Sequence, residues 1–148
     1  MTMQSLPFVR HSDLVKFEGN WGEKLQRKVI SVILSASEVT TLGQVVFRVK
    51  GTDPAIGYTK VSSAGQIVRT NEFAVVFGDK FSYNPSFVAD VTTPALTPAI
   101  AYTNGFGGLV LRNTLPDALL TTAGLTAGNI ASLKLLMEDQ GIFFSTDL

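Results

Sequence analysis

The stretch AGLTAGNIASLKLLMEDQGIFF, residues 123–144, is the part of the chain where the sequence alone defines one element from start to end. Its helix positions i, i+3 and i+7 carry one apolar stripe, formed by Ile130, Leu133 and Met137. Thr126 is a suitable N-cap, and Gly141 stands where a glycine commonly ends a helix. We therefore predict a helix over residues 126–140, followed at IFF by a short apolar strand or anchor. A single helix of this length is not stable alone, so it must pack either on its own domain or on a neighbouring subunit.

The residues before this helix carry strand patterns. KVISVILSA (28–36) is rich in β-branched residues, LGQVVFRVKG (42–51) alternates between two faces, and EFAVVFGDKF (72–81) is an apolar run that ends in a turn. YTKVSSAGQIVRT (58–70) predicts two short strands, and GGLVLRNTL (107–115) predicts another. PDALLTTAG (116–124) is expected to form a loop or one helical turn. The sequence thus predicts an α+β domain that is mainly β, with one C-terminal helix.

Residues 82–108 contain three spaced prolines, Pro85, Pro94 and Pro98, in an otherwise apolar segment. Proline cannot donate to a sheet ladder, so we expect this segment at a sheet edge, in a loop or in a polyproline-like run. Its glycine-rich end, TNGFGGL (103–109), lacks the Lys-Ser/Thr pair of a phosphate-binding loop. We expect a turn there, with a positive φ at one of the glycines.

Residues 1–28 differ from the rest because their apolar residues follow no steady period and Pro7, Gly19 and Gly22 interrupt them. Two interpretations stay open: an extended arm that becomes ordered against a partner, or an N-terminal strand packed on its own domain. We take residues 1–28 as an arm and residues 29–148 as a single domain.

The composition excludes several functions. The chain of 148 residues has 12 basic and 12 acidic residues, so it lacks the basic excess of proteins that bind nucleic acid through their surface charge. It has no cysteine and one histidine, His11, which we expect to be a surface or packing residue. Its apolar runs are too short to span a bilayer. Only 16% of its residues are charged, against the usual quarter or so, which suggests self-association or attachment to a larger body.

No arrangement of residues indicates catalysis. The acidic residues are scattered, the adjacent pair Glu138–Asp139 is expected to be solvated, and no serine lies in a nucleophile elbow. We predict a protein that is not an enzyme, with no cofactor and no metal ion. The residues alone lead to a β-rich structural or interaction protein.

The order of features is similar to that of the lambda-type head decoration proteins of tailed phages, which are also called capsid cement proteins. SDLVKFEGNW (12–21) followed by RKVISVILSA (27–36) resembles their N-terminal portion, and EVTTLGQVV (38–46) resembles their strand with a Leu-Gly-x-Val core. EFAVVFGDKF (72–81) stands where the family has a short apolar strand and an acidic turn. GGLVLRNTLPDALLTTAGLT (107–126) resembles their later strand and loop. NIASLKLLMEDQGIFF (129–144) resembles their closing helix and its Gly-Ile ending. Asn113 departs from the family, which often has glycine there, and residues 82–108 look like an insertion.

The resemblance implies a β-clip fold, with bent ribbons or an incomplete barrel and one C-terminal helix. It implies a homotrimer on the outside of the virion capsid, at three-fold and quasi-three-fold positions of the expanded head. The trimer would hold neighbouring subunits of the phage major capsid protein together, and it would assemble in the host cytoplasm. No nucleic acid and no membrane would be partners.

For contact with the capsid we select arm residues that have no periodic reason to lie in a core. They are Phe8, Val9, Arg10, Leu14, Phe17 and Trp21. Phe17 and Trp21 have the alternative of folding onto their own domain. Another class of function is an adhesin or receptor-binding module displayed on a virion, with residues 82–108 as its binding loop. A small β enzyme is the third, and it would need a pocket of converging carboxylates.

Overall fold

The computed structural model describes residues 10–18, 27–34, 38–51, 57–79, 86–88, 95–104 and 108–145. It shows an α+β protein that is mainly β, as the sequence predicted, with ten strands and two helices in this part of the chain. The strands are β1 Val15–Glu18, β2 Arg27–Leu34, β3 Val39–Thr41, β4 Val45–Val49, β5 Thr59–Lys60, β6 Asn71–Asp79, β7 Ser86–Val88, β8 Ala95–Tyr102, β9 Leu109–Arg112 and β10 Ile142–Ser145. The helices are α1 Thr114–Thr122 and α2 Ala127–Glu138.

The described strands form three sheets. One has the order β1-β9-β10, one has the order β2-β8-β6-β4-β5, and β3 pairs with β7. In the first sheet β1 is antiparallel to β9, whereas β10 is parallel to it. Both helices lie in the crossover from β9 to β10, because parallel neighbours cannot be joined by a tight turn.

The five-stranded sheet curls until its two ends meet at one point. Tyr58, next to β5, donates from its backbone to Ser31 O at 2.8 Å, and Ile33 N donates to Tyr58 O at 2.8 Å. Gly57 has a φ of +84°, and a Cβ there would lie 2.5 Å from a methyl group of Leu96. This junction is a single bridge and not a ladder, so the sheet is not closed into a barrel.

Two apolar cores follow from the alternation of side chains along β6. Phe73, Val75 and Phe77 point into the larger core, which also contains buried residues of the three-stranded sheet and of both helices. Ala74 and Val76 point into a smaller core inside the curl. The central strand is therefore buried on both faces, which explains why EFAVVF is apolar without alternation.

Strand β8 corrects the expectation for residues 82–108. Ala95–Tyr102 lies between β2 and β6 and not at an edge or in a loop. Pro98 is tolerated there because it lies opposite Ser31, whose carbonyl accepts from Tyr58 on the other side. On the β6 side the described pairing reaches Ala99, which lies opposite Asp79. The missing N–H of Pro98 thus costs no bond within the described ladders.

Helix α2 confirms most of the prediction for residues 126–140. Thr126 caps it because its hydroxyl accepts a hydrogen bond from Asn129 N, while Thr126 N donates one to Asn129 Oδ1. The predicted stripe is buried, and Gly141 has a φ of +79°. The helix ends two residues early, at Glu138, and IFF continues as β10 as expected. The buried stripe shows that α2 completes the core of its own domain.

Helix α1 shows that the prediction of a single helix was wrong. Pro116 lies in its first turn, where no N–H is required, so it does not break the helix. The helix ends in a Schellman motif around Gly124, whose φ is +104°. In that motif Leu125 N donates to Leu120 O and Gly124 N donates to Thr121 O.

The N-terminal residues settle one of the open alternatives for residues 10–18. His11–Asp13 form a 3-10 turn, and β1 pairs with β9 in the three-stranded sheet. These residues are a strand packed on its own domain, and β2 starts at Arg27, before the predicted boundary. Between residues 58 and 70 the structure has only one strand, β5, and then a 3-10 turn at Ala64–Gln66 in place of the second predicted strand.

Candidate functional site

The six residues selected for capsid contact have different positions in the structure. Phe8, Val9 and Trp21 lie outside the described residues. Arg10 is exposed, at the start of the 3-10 turn. Leu14 is fully buried in the larger core, so its side chain is not available to a partner; the lack of period in the sequence concealed a core residue. Phe17 is 56% exposed.

Phe17 belongs to an apolar row on the outer face of the three-stranded sheet. The strand register places Phe17 of β1 opposite Val110 of β9, and Val110 beside Phe143 of β10. Their neighbours Leu109, Leu111 and Ile142 are buried on the other face. Phe143 is 48% exposed. We call Phe17, Val110 and Phe143 the outer row.

Two basic residues, Lys16 and Arg112, lie near the outer row. Lys16 is exposed at the β-bulge between Val15 and Phe17. Arg112 lies two residues after Val110 and therefore on the same face of β9. Exposed aromatic residues beside arginine are typical of the centre of a protein interface. The sequence suggested Phe17 but not Phe143 and Val110, because only the pairing of distant strands brings the three together.

Strand β1 is joined to the five-stranded sheet by the carboxylate of Glu18. Glu18 accepts hydrogen bonds from Arg27 Nε at 2.8 Å and Nη2 at 2.7 Å, and from the Tyr102 hydroxyl at 2.7 Å. Arg27 begins β2 and Tyr102 ends β8. A bidentate pair with an additional hydroxyl donor fixes the orientation of the carboxylate, so this contact holds the outer row at a fixed position relative to the larger sheet.

The same junction gives the single histidine a packing role. The His11 ring stacks on Phe77 with the ring centroids 4.1 Å apart, and the Arg27 guanidinium lies 4.0 Å from the Phe77 centroid. Two groups this close to one ring must occupy opposite faces. Tyr102 meets the edge of Phe77 with a centroid distance of 5.6 Å. His11 therefore packs the N-terminal turn onto β6, as the sequence suggested.

We expect the tyrosines of this protein to make it sensitive to alkali. Burial raises the pKa of Tyr102 well above its ordinary value of 10.0, and the carboxylate of Glu18 raises it further. Burial also raises the pKa of Tyr58, although Arg48 opposes the shift. Above a pH of about 10 the unfolded chain releases these protons while the folded chain keeps them, so the stabilisation present at lower pH is progressively lost.

Urea unfolding across this pH range measures the effect. The free energy of unfolding should fall by up to ~1.4 kcal/mol per pH unit for each such tyrosine. Tyr102→Phe should lower stability near neutral pH, because the bond to Glu18 is lost, but should make the alkaline decline shallower. An unchanged slope in this variant would show that Tyr102 does not carry the effect.

Among the described residues, no three His, Cys, Asp or Glu side chains lie together in a way that could hold a metal ion. The Glu138–Asp139 pair is exposed, and Asp139 forms a 3.5 Å ion pair with Arg69 at the surface. Gly108 has a φ of +96°, in agreement with a turn before β9. No helix in the described part of the chain is long and apolar enough to cross a membrane.

Comparisons with protein-family models, with curated proteins and with solved structures found no match to this chain.

Proposed function

We propose that this protein is a capsid decoration protein of the lambda type, with a β-clip-like domain. It binds as a homotrimer to the outside of the expanded phage head, at three-fold and quasi-three-fold positions, and stabilises the lattice of the major capsid protein. The order of sequence features supports the family. The outer row is the observation that supports a binding surface. It is an exposed apolar strip on the three-stranded sheet, whose strand β1 begins at Val15, close to the N-terminus.

The mechanism is one of linkage. A protein that binds only the assembled, expanded shell stabilises that shell relative to every other state. Many copies on one lattice act together, because each bound trimer connects subunits that must otherwise separate. Phe17, Val110 and Phe143 supply the apolar contact, and Lys16 and Arg112 suit an acidic rim on the capsid. Residues 1–9, which include Phe8 and Val9, contribute additional contacts.

The adhesin alternative has less support. Its binding loop was expected within residues 82–108, and Ala95–Tyr102 is a strand between β2 and β6 instead. That part of the segment is required for the sheet and does not form a displayed loop.

Co-sedimentation with phage heads tests the proposal. The purified protein is titrated onto unexpanded and expanded heads of the phage that encodes it. We expect saturable binding to expanded heads alone, in multiples of three copies per lattice hexamer. Phe143→Ser should weaken this binding by at least about tenfold, which corresponds to ~1.4 kcal/mol. Leu135→Ser is the matched control, because Leu135 is exposed on α2, away from the outer row. Equal binding to both kinds of head, or to neither, would contradict the proposal.

Deletion of residues 1–9 is the appropriate test of the arm. It leaves every described element intact, whereas a deletion through residue 20 would remove strand β1 and the buried Leu14. The shortened protein should fold and should bind expanded heads more weakly. Unchanged binding would assign the contact to the outer row without the arm.

A further inference from the structure

The inner face of the curled five-stranded sheet is apolar over most of its length and polar at one end. Its apolar part consists of Ile30, Val32, Leu34, Val46, Tyr58, Ala74, Val76, Ala99 and Ala101. On three strands the next residue of the same face is charged: Lys28 beside Ile30, Arg48 beside Val46, and Glu72 beside Ala74. The polar end is therefore a consequence of strand periodicity.

These charged residues line an open cleft with a volume of about 410 Å³. Its wall also includes Tyr58, Thr103 and Asn104. Volumes of a few hundred Å³ are typical of small-molecule sites, and such sites often occur in the mouths of barrel-like sheets. We call the six residues Lys28, Arg48, Tyr58, Glu72, Thr103 and Asn104 the rim cleft.

The rim cleft carries one cation in excess. Arg48 and Glu72 lie opposite each other on β4 and β6 and form an ion pair. The Arg48 guanidinium also lies 5.3 Å from the centroid of the Tyr58 ring, and the Tyr58 hydroxyl is 3.5 Å from Glu72 Oε1. Lys28 is exposed and has no ion pair with another residue that the structure describes. Its charge is left to attract an anion.

We propose that the rim cleft binds a sugar ring that bears a carboxylate. Lys28 and Arg48 attract the carboxylate, and charge-assisted hydrogen bonds of this type are strong. Glu72 accepts from ring hydroxyls, and the Asn104 side chain can both donate and accept. The polar wall does not suit an apolar ligand. This inference does not depend on the capsid role, and the rim cleft and the outer row belong to different sheets.

The test follows backbone amide signals by NMR during titration with D-glucuronate. We expect the signals of Lys28, Thr103 and Asn104 to shift saturably. D-glucose tests the need for the carboxylate, and acetate tests the need for the ring; each should bind at least about tenfold more weakly than glucuronate. The methyl glycoside of glucuronate separates two sources of the ligand. It binds if the natural ligand is a uronate at the end of a glycan, and it fails to bind if only the free monosaccharide fits.

Lys28→Met should weaken glucuronate binding at least about tenfold, because it removes a cation that forms no ion pair with any described residue. Lys16→Met is the matched control, since it removes the same charge from an exposed strand position in the other sheet. Equal weakening by both variants would reduce the effect to overall charge and overturn the proposal. Absence of any shift at Thr103 and Asn104, or equal binding of acetate, would overturn it as well.

Discussion

Replacement of Leu133 by alanine should destabilise this protein by about 2–5 kcal/mol, the usual cost of removing a large buried side chain. Leu133 is fully buried at the centre of the α2 stripe, between Ile130 and Met137, and it faces the core shared by both larger sheets. The cavity left behind cannot collapse easily, because the side chain of Gln140 fixes the end of the helix to the backbone of Phe73 by two hydrogen bonds. For a domain of this size such a loss is a large part of the total stability.

Leu135→Ala is the matched control. Leu135 lies on the same helix with 64% of its surface exposed, so the substitution should change the free energy of unfolding by less than about 0.5 kcal/mol. Urea unfolding of both variants, with the same circular dichroism signal, measures the difference. Comparable destabilisation by the two substitutions would mean that α2 packs through another face.

The sequence predicted α2 well because its signals are local. Thr126, the stripe and Gly141 all lie within residues 126–141. Thr126 and the stripe were found in their predicted roles, and Gly141 has a positive φ although the helix ends earlier, at Glu138. The signals of α1 were also local but were missed. Gly124 followed by Leu125 is a Schellman ending, and Leu125 and Leu120 belong to the same core. Residues 116–124 were expected to form a loop or one helical turn, whereas α1 continues to Thr122.

Strand β8 could not be placed from its own residues. Pro98 favoured an edge or a loop, and it lies between two strands at a position where no bond of the described ladders needs its N–H. That compensation depends on the register with another strand, and no single segment contains this information. The curl of the sheet, which is completed by Gly57 and Tyr58, is non-local in the same way.

The candidate sites depend even more on pairing between distant segments. The outer row joins residues 17, 110 and 143, and the rim cleft joins five separate segments of the sheet. Alternation within LGQVVFRVKG placed Val46 and Arg48 on one face of a strand. It did not predict which other strands would lie beside them. Sequence periodicity therefore predicted which residues share a face and not which faces meet.

Leu14 and Phe17 provide the second large prediction, because the sequence assigned both to the capsid contact and the structure separates them. Leu14→Ala should destabilise the fold by about 2–5 kcal/mol, since Leu14 is fully buried beneath the junction of β1 and β9. Phe17→Ala should cost less than about 1 kcal/mol, because its ring is more than half exposed. Urea unfolding of the two variants, neither bound to heads, measures both values.

Binding to expanded heads should show the opposite order. Phe17→Ala removes an anchor of the outer row, so its affinity should fall at least about tenfold while its stability remains near that of the parent protein. Leu14→Ala, measured below its unfolding temperature, should bind nearly as well as the parent, because its side chain never reaches the surface. A fold that tolerates Leu14→Ala would mean that residues 10–18 detach from the domain in solution, and the extended-arm interpretation would then replace the packed strand. Loss of binding in both variants at equal stability would place the whole N-terminal segment against the capsid.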